Sequence, residues 1–344
     1  MVDSSIDAPP PCAAPNAFGA ELTFPLGGTG VGLAVANLDP GTNLDVAVAV
    51  TTEVVILHGD GAGGFANLTV VATPAIGVAI DDFNLDVRND LILWSGNTIA
   101  ERRQSSASPG TFLAEQLLLG PFQNVQNALI ETFDGDVNPD LIVQDDLDRR
   151  EFTSNLGTPG TFARTNNVVG AAGDALVFAG EIDGLDRSDV VFVDASGNVK
   201  LSLVSAAGAF GPLTTIATGA TGRAAAFGKF NGDALLDLVI ATAAGGVIFT
   251  QNASAPGTFT QRPGTIPGVV GATLLVADIN GDGTDDIIAP GSIIMQCPMP
   301  SPPGVFTQVE SLNSIAPAVL VDVNKNGKLD LLRLVGTDLV VRLQ

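Results

Sequence analysis

Short apolar runs alternate with short polar loops along the whole chain, and no stretch carries the periodicity of an amphipathic helix. The segment that starts at Ala272 is typical. Ala272 to Ala277 is apolar, Asp278 to Asp286 is an acidic loop, Ile287 to Ala289 and Ser292 to Gln296 are two further apolar runs, and a fourth run opens at Phe306. Runs of this length, bounded by Gly, Pro, Asn and Asp, predict four β-strands joined by tight turns. Forty Gly and 21 Pro among 344 residues, with only 15% charged, fit a chain of many strands and turns.

The unit repeats. Acidic loops that end in an Asp followed by an aliphatic run close at Asp45, Asp90, Asp140, Asp189, Asp237, Asp286 and Asp330, at intervals of 45, 50, 49, 48, 49 and 44 residues. A Phe, usually after Gly and one small residue, keeps the same period at Phe18, Phe65, Phe112, Phe162, Phe210, Phe259 and Phe306. One Phe per unit at a fixed phase is what packing between units requires. A four-stranded antiparallel unit cannot bury both faces alone, so the units must stack face to face, and radial closure removes the exposed end sheets. The pattern predicts an all-β fold, a seven-bladed β-propeller of four-stranded antiparallel blades. The last unit runs from Ala318 through Asp330 to a third strand at Leu339 to Leu343, and it has no fourth. Phe18 to Leu26 carries the Phe-led pattern ahead of the first acidic loop, so pairing of these two segments is expected to close the ring. Residues 1–17 then form a Pro/Ala-rich tail and residues 18–344 a single propeller domain.

Each acidic loop spans nine residues. The sixth offers oxygen-bearing side chains at positions 1, 3, 5 and 9 (Asp278, Asn280, Asp282, Asp286), with Gly281 and Gly283 between them. A hard divalent cation needs six to eight oxygens and a chain that wraps tightly. An EF-hand would need a Glu at position 12 and flanking helices, and neither is present. Polar turns alone would also use Asp, Asn and Gly. The seven loops, however, hold 20 of the 37 acidic residues, and carboxylates at contact distance repel unless a cation lies among them.

With these loops and the Gly-x-Phe elements, residues 18 to 344 resemble the FG-GAP/VCBS repeat family, whose best-known fold is the seven-bladed propeller of integrin α subunits. The resemblance implies that each loop joins strands 1 and 2 of a blade. It further implies Ca²⁺ bound through side chains at positions 1, 3, 5 and 9 and the carbonyl at position 7. In loop six these are Asp278, Asn280, Asp282 and Asp286 with Thr284, and in loop two Asp82, Asn84, Asp86 and Asp90 with Arg88. In loop seven they are Asp322, Asn324, Asn326 and Asp330 with Lys328. Loop three offers Asp134, Asp136 and Asp140 with Asn138, but Thr132 stands at position 1. Loop one offers Asn37, Asp39 and Asp45, and loop four Glu181, Asp183 and Asp189; Gly41 and Leu185 leave their fifth positions without an oxygen. Loop five begins with Lys229, whose ammonium is expected to neutralise Asp233 and Asp237 in place of an ion. Loops six and two should therefore bind calcium most tightly, then seven, then three, with loop five empty.

A net charge of −22 repels phosphate backbones and anionic lipid, which excludes nucleic acid as a partner, and no run is long enough to span a bilayer. Tyr is absent, and Trp and His occur once each, which leaves few groups for acid–base chemistry and disfavours an enzyme. No second His exists to complete an imidazole metal site or a triad with His58, so a structural or surface role is expected for it. Gly59 to Gly64 lacks the Gly-Lys-Ser/Thr of a phosphate loop, and Asn67-Leu-Thr69 and Asn252-Ala-Ser254 match the glycosylation sequon. Trp94, Phe122, Arg149 and Arg150 fall at strand ends on the face away from the acidic loops; they are residue types that anchor interfaces, although Trp94 also continues the alternation of Ile92 into an inter-blade core.

The opening MVDSSIDAPPPCAAPNAF has linker composition and no basic or apolar signal region, as between a removed signal or anchor and a domain, so export is expected. Strand alternation puts Cys12 and Cys297 at one rim, and a disulfide between them is expected. Together with the resemblance, these features lead to an extracellular or cell-surface, non-catalytic, calcium-binding adhesion or interaction module, monomeric, with a protein or glycan ligand. A lectin and a polysaccharide lyase are the rival readings.

Overall fold

In the computed structural model the described residues are 18–344 apart from 120–121, 137, 148, 155–157, 159, 172, 186, 223, 298–304 and 313–316. The expected tail, with Cys12, lies outside them. Strand β1 (Leu22–Pro25) precedes blade one, which comprises β2 (Gly30–Ala36), β3 (Asp45–Val50), β4 (Glu53–Gly59) and β5 (Phe65–Val71). Blade two is β6 (Gly77–Asp81), β7 (Asp90–Ser95), β8 (Thr98–Arg102) and β9 (Gln116–Leu119). Blade three is β10 (Asn127–Glu131), β11 (Asp140–Gln144), β12 (Arg149–Ser154) and β13 (Phe162–Val168). Blade four is β14 (Ala175–Gly180), β15 (Asp189–Val193), β16 (Val199–Ser202) and β17 (Thr214–Ala217). Blade five is β18 (Ala225–Gly228), β19 (Asp237–Thr242), β20 (Gly245–Gln251) and β21 (Phe259–Gln261). Blade six is β22 (Leu275–Ala277), β23 (Asp286–Ala289), β24 (Ser292–Gln296) and β25 (Phe306–Glu310). Blade seven is β26 (Ala318–Val321), β27 (Asp330–Val335) and β28 (Asp338–Arg342), completed by β1.

Every blade is thus a four-stranded antiparallel sheet, and the first strands β2, β6, β10, β14, β18, β22 and β26 face one another around the ring. The second strands are buried on both faces, since each lies in mid-sheet between two neighbouring blades. That position explains why β3 (DVAVAV) and β23 (DIIA) read as unbroken apolar runs. Two-residue turns join second and third strands in blades one, two, five, six and seven, and Gly96, Gly291 and Gly336 hold the left-handed φ that such turns demand (53°, 91° and 61°).

The ring closes as the sequence suggests. Leu22 to Pro25 pair antiparallel with Val341 to Asp338. Arg342 reinforces the seam: its Nη2 and Nε donate to the carbonyls of Phe18 and Gly19 at 2.9 and 3.1 Å, and its guanidinium lies 5.6 Å over the Phe18 ring. Arg342 also pairs with Glu310, and Arg333 with Glu21.

The periodic Phe residues meet a partner that the sequence reading did not single out. Position 2 of each acidic loop is apolar (Leu38, Phe83, Phe133, Ile182, Phe230, Ile279, Val323) and at most 3% exposed. Each of these packs in one cluster with the periodic Phe of the following blade: Leu38 with Phe112, Phe83 with Phe162, Phe133 with Phe210, Ile182 with Phe259, Phe230 with Phe306, Ile279 with Phe18, Val323 with Phe65. The ring centroids of the Phe–Phe pairs are 5.8 to 6.3 Å apart. The two periods of the sequence are the two halves of one inter-blade contact.

Candidate metal centres in the strand 1–strand 2 loops

The last Asp of every loop anchors it. Asp45, Asp90, Asp140, Asp189, Asp237, Asp286 and Asp330 are at most 1% exposed. One oxygen accepts the N–H of position 2 (Leu38, Phe133, Ile182, Phe230, Ile279, Val323) at 2.7 to 3.1 Å. The other accepts an N–H just beyond the third strand's pairing (Gly59, Gln104, Val204, Gln251, Gln296, Gln344) at 2.7 to 3.0 Å. One side chain therefore fixes both the apolar plug and the turn above it, which is why the Asp and the Phe keep a common period. Burial pushes the carboxyls of Asp90 and Asp286 up to about 7 and those of Asp189 and Asp237 up to about 6. Asp45 and Asp330 are raised for the same reason, against the pull of their backbone donors. Neighbouring acids add to the rise, Asp282 and Asp278 at Asp286 and Glu101, Asp86 and Asp82 at Asp90.

The first-position acid wraps the loop. Asp82 accepts the N–H groups of Asp86 and Val87 at 2.9 and 2.7 Å, Asp278 those of Asp282 and Gly283 at 3.1 and 2.8 Å, and Asp322 those of Asn326 and Gly327 at 3.1 and 2.7 Å. Glu181 does the same in loop four toward Leu185 and Arg187, at 3.2 and 2.7 Å. Position 4 is left-handed in loops two to seven: Leu85, Gly135, Gly184, Gly232, Gly281 and Lys325 have φ between 57° and 84°.

These loops fit a hard cation in their donor chemistry. Each carboxylate oxygen retains a lone pair after accepting one N–H, and Asn84 Oδ1 and Asn138 Oδ1 are buried with no hydrogen-bond partner among the described residues. Glu181, Asp183 and Asp189 already offer oxygens within 4.8 Å of one another. Loop four thus brings its acids together although Leu185 leaves position 5 apolar, and Asp186 lies outside the described residues. Loop two carries a cation of its own, since Arg88 pairs with Asp86 at 3.3 Å.

One expectation needs correction. Among the described residues Lys229 makes no ion pair with Asp233 or Asp237; it is exposed, and its N–H donates to Asp285 of blade six at 2.7 Å. The Asn231 amide donates to Asp233 and Asp237 instead, at 2.9 and 3.5 Å. His58 has acidic neighbours that its place in the sequence does not reveal. Its Nδ1 lies 3.5 Å from Asp45 and 3.6 Å from Asp39. The signal was legible in the strand register, because Val46 pairs with Leu57 and the next residue, His58, must stand beside Asp45.

Away from the loops, Trp94 is 8% exposed and packs with Ile99, Val125 and Phe152, so it belongs to the core between blades two and three. Phe122 sits on the same cluster, 5.7 Å from Phe152, and the side chains of Arg149 and Arg150 lie outside the described residues. Cys297 is buried and is not a free thiol; its expected partner Cys12 is outside the described residues.

Seven antiparallel blades in a ring, each with its strand 1–strand 2 loop tied by a buried Asp, define a β-propeller built from acidic-loop repeats. Residues 229–289 match the model of the FG-GAP-like repeat, and that match together with the seven-bladed ring supports a propeller of the FG-GAP type. No curated protein matches the sequence. Solved structures share the fold at low identity. An Agrocybe aegerita lectin that recognises non-reducing terminal N-acetylglucosamine matches with a TM-score of 0.64 at 16% identity, over 88% of this chain and 92% of the lectin. BBS1N, in complex with ARL6DN, matches at 0.59 and 11%, over 95% and 96%. A putative 6-phosphogluconolactonase of Bacteroides uniformis matches at 0.55 and 14%, over 81% and 83%.

Proposed function

We propose that this propeller is an extracellular or cell-surface module that binds several Ca²⁺ ions in its strand 1–strand 2 loops and serves adhesion or protein interaction without catalysis. The observation that carries the reading is the set of seven buried Asp anchors, each at the base of a loop rich in oxygen donors, in a chain of charge −22. Burying so many carboxylates is costly without cations beside them. Calcium satisfies the charge and, through oxygens at several loop positions, fixes the shape of the loop face. Loops six and two have the fullest donor sets, and loop four gains a claim from its three converging acids. Export would also suit a disulfide between Cys12 and Cys297, which we include in the proposal; two free sulfhydryls in unreduced, denatured protein would exclude it.

The lectin reading receives less support. Sugar rings stack on accessible Trp or Tyr, whereas the one Trp is in the core and Tyr is absent. Binding of the chain to the surface fraction of its source cells, with calcium and then with chelator, tests the interaction role. Calcium-dependent retention that survives removal of glycans supports a protein ligand, retention lost with the glycans supports the lectin, and equal recovery with chelator contradicts a calcium-dependent module.

A further inference from the structure

Blade one departs from its six siblings at the very place where its acidic loop meets the third strand. Pro40 occupies position 4, where the other loops turn left-handed, and proline cannot adopt that φ. Gly41 supplies no side chain at position 5. Asn37, the expected first ligand, is a neutral amide that braces the loop from within: its Nδ2 donates to the Gly41 carbonyl at 2.6 Å and its Oδ1 accepts the Asp39 N–H at 3.2 Å. What remains is Asp39 and Asp45, and against them stands a nitrogen. The strand registers place Arg103, Thr153, Leu203, Thr250, Met295 and Leu343 at the corresponding position of blades two to seven, so only blade one has an imidazole there.

From this juxtaposition we infer that Asp39, Asp45 and His58 form a site for a divalent transition ion of the zinc class, distinct in chemistry from the calcium loops and independent of whether those loops are filled. One oxygen of each Asp and one ring nitrogen of His58 lie within 4.8 Å of one another. Two donors bonded to one zinc ion at about 2.1 Å in tetrahedral geometry stand about 3.4 Å apart. The separations from Nδ1, 3.5 Å to Asp45 and 3.6 Å to Asp39, match that spacing. His58 Nδ1 is buried and has no hydrogen-bond partner among the described residues. Its other nitrogen, Nε2, is 3.0 Å from Thr69 Oγ1, and donation of Nε2–H to that hydroxyl leaves the Nδ1 lone pair aimed at the carboxylates. Among the described residues no Lys or Arg pairs with Asp39 or Asp45, and the nearby Lys325 ammonium is held by Thr42 and Asn43 at 2.9 and 2.8 Å. Calcium prefers an all-oxygen shell, whereas imidazole with carboxylate suits zinc-like ions. Asp45 is enclosed, but Asp39 is one-third exposed, so the ion can enter from the loop face and keep a fourth position for water or for a donor from a partner.

The chain has a single His, so protein made without a polyhistidine tag gives one unambiguous pair of imidazole ¹⁵N resonances. Zn²⁺ is titrated into it with calcium held in excess, followed by calorimetry and by those resonances. The site predicts uptake of one Zn²⁺ per chain with a large shift of Nδ1. It also predicts binding at least about tenfold weaker in Thr69→Val, which frees the ring, and loss of that event in His58→Gln. Asp39→Asn, on the exposed loop, serves as a second variant should His58→Gln fold poorly. If the ring instead carries protons on both nitrogens and is unmoved by Zn²⁺, His58 is the counter-ion of the two acids and the inference fails. Zinc uptake undiminished in His58→Gln and Asp39→Asn overturns it as well.

Discussion

At the scale of single residues, the acids of one loop divide into anchors and ligands, and the two are separable by mutation. Asp286 holds the N–H groups of Ile279 and Gln296 at 3.1 and 2.7 Å in a fully buried setting. Asp286→Ala leaves both donors unsatisfied, each worth about 1–3 kcal/mol, so it should lower the melting temperature even in chelator. Asp282 only braces Thr284 within the loop, so Asp282→Ala should leave the melt in chelator nearly unchanged and reduce only the gain on adding calcium. Proton linkage provides a second test. The carboxyls of Asp90 and Asp286 are raised to about 7 and those of Asp189 and Asp237 to about 6, from an ordinary 3.8. Between about pH 4 and 7 the folded chain therefore binds more protons than the unfolded one, and stability falls as pH rises. In chelator, the melting temperature should decline from pH 5 to pH 8. With saturating calcium the decline should flatten or reverse, because the ion competes with the proton for the same oxygens.

At the scale of elements, the strand pattern, the turns and the seven loops were legible because apolar runs, Gly–Pro punctuation and acidic spacing are all local signals. The sixth unit's third strand, Ser292–Gln296, was placed to the residue. The partner of the periodic Phe was not read, since position 2 of a loop looks like an ordinary apolar residue until the next blade is laid against it. His58 escaped for a similar reason: its company comes from a strand pairing and not from neighbours in sequence. The charge of Lys229 alone says nothing of reach, and it is the Asn231 amide that donates to Asp233 and Asp237. Close approach of elements also explains Gly77. A Cβ there would fall 2.0 Å from the Trp94 ring, which packs over β6 between blades two and three. Gly77→Ala should destabilise by about 1–3 kcal/mol, the usual cost of overpacking, in a denaturant melt; an unchanged midpoint would mean that Trp94 does not sit on that backbone.

At the scale of the whole molecule, the ring depends on a short N-terminal strand. Deleting residues 1–26 removes β1, its four-residue pairing with β28 and the carbonyls held by Arg342, and it exposes a sheet edge at the seam. Deleting residues 1–11 leaves all of these in place. The longer deletion should melt well below the full chain and aggregate, while the shorter should match it; equal melting of the two would contradict closure by β1. The account's central claim is that the acidic face is built around cations, and a calorimetric titration of chelator-stripped protein with Ca²⁺ tests it most directly. Several ions should bind per chain. Each site held at a hundred times its dissociation constant should add about 2.7 kcal/mol to stability. Asp282→Ala should lose one of the stronger sites. No uptake of calcium by the folded, stripped chain would contradict the account.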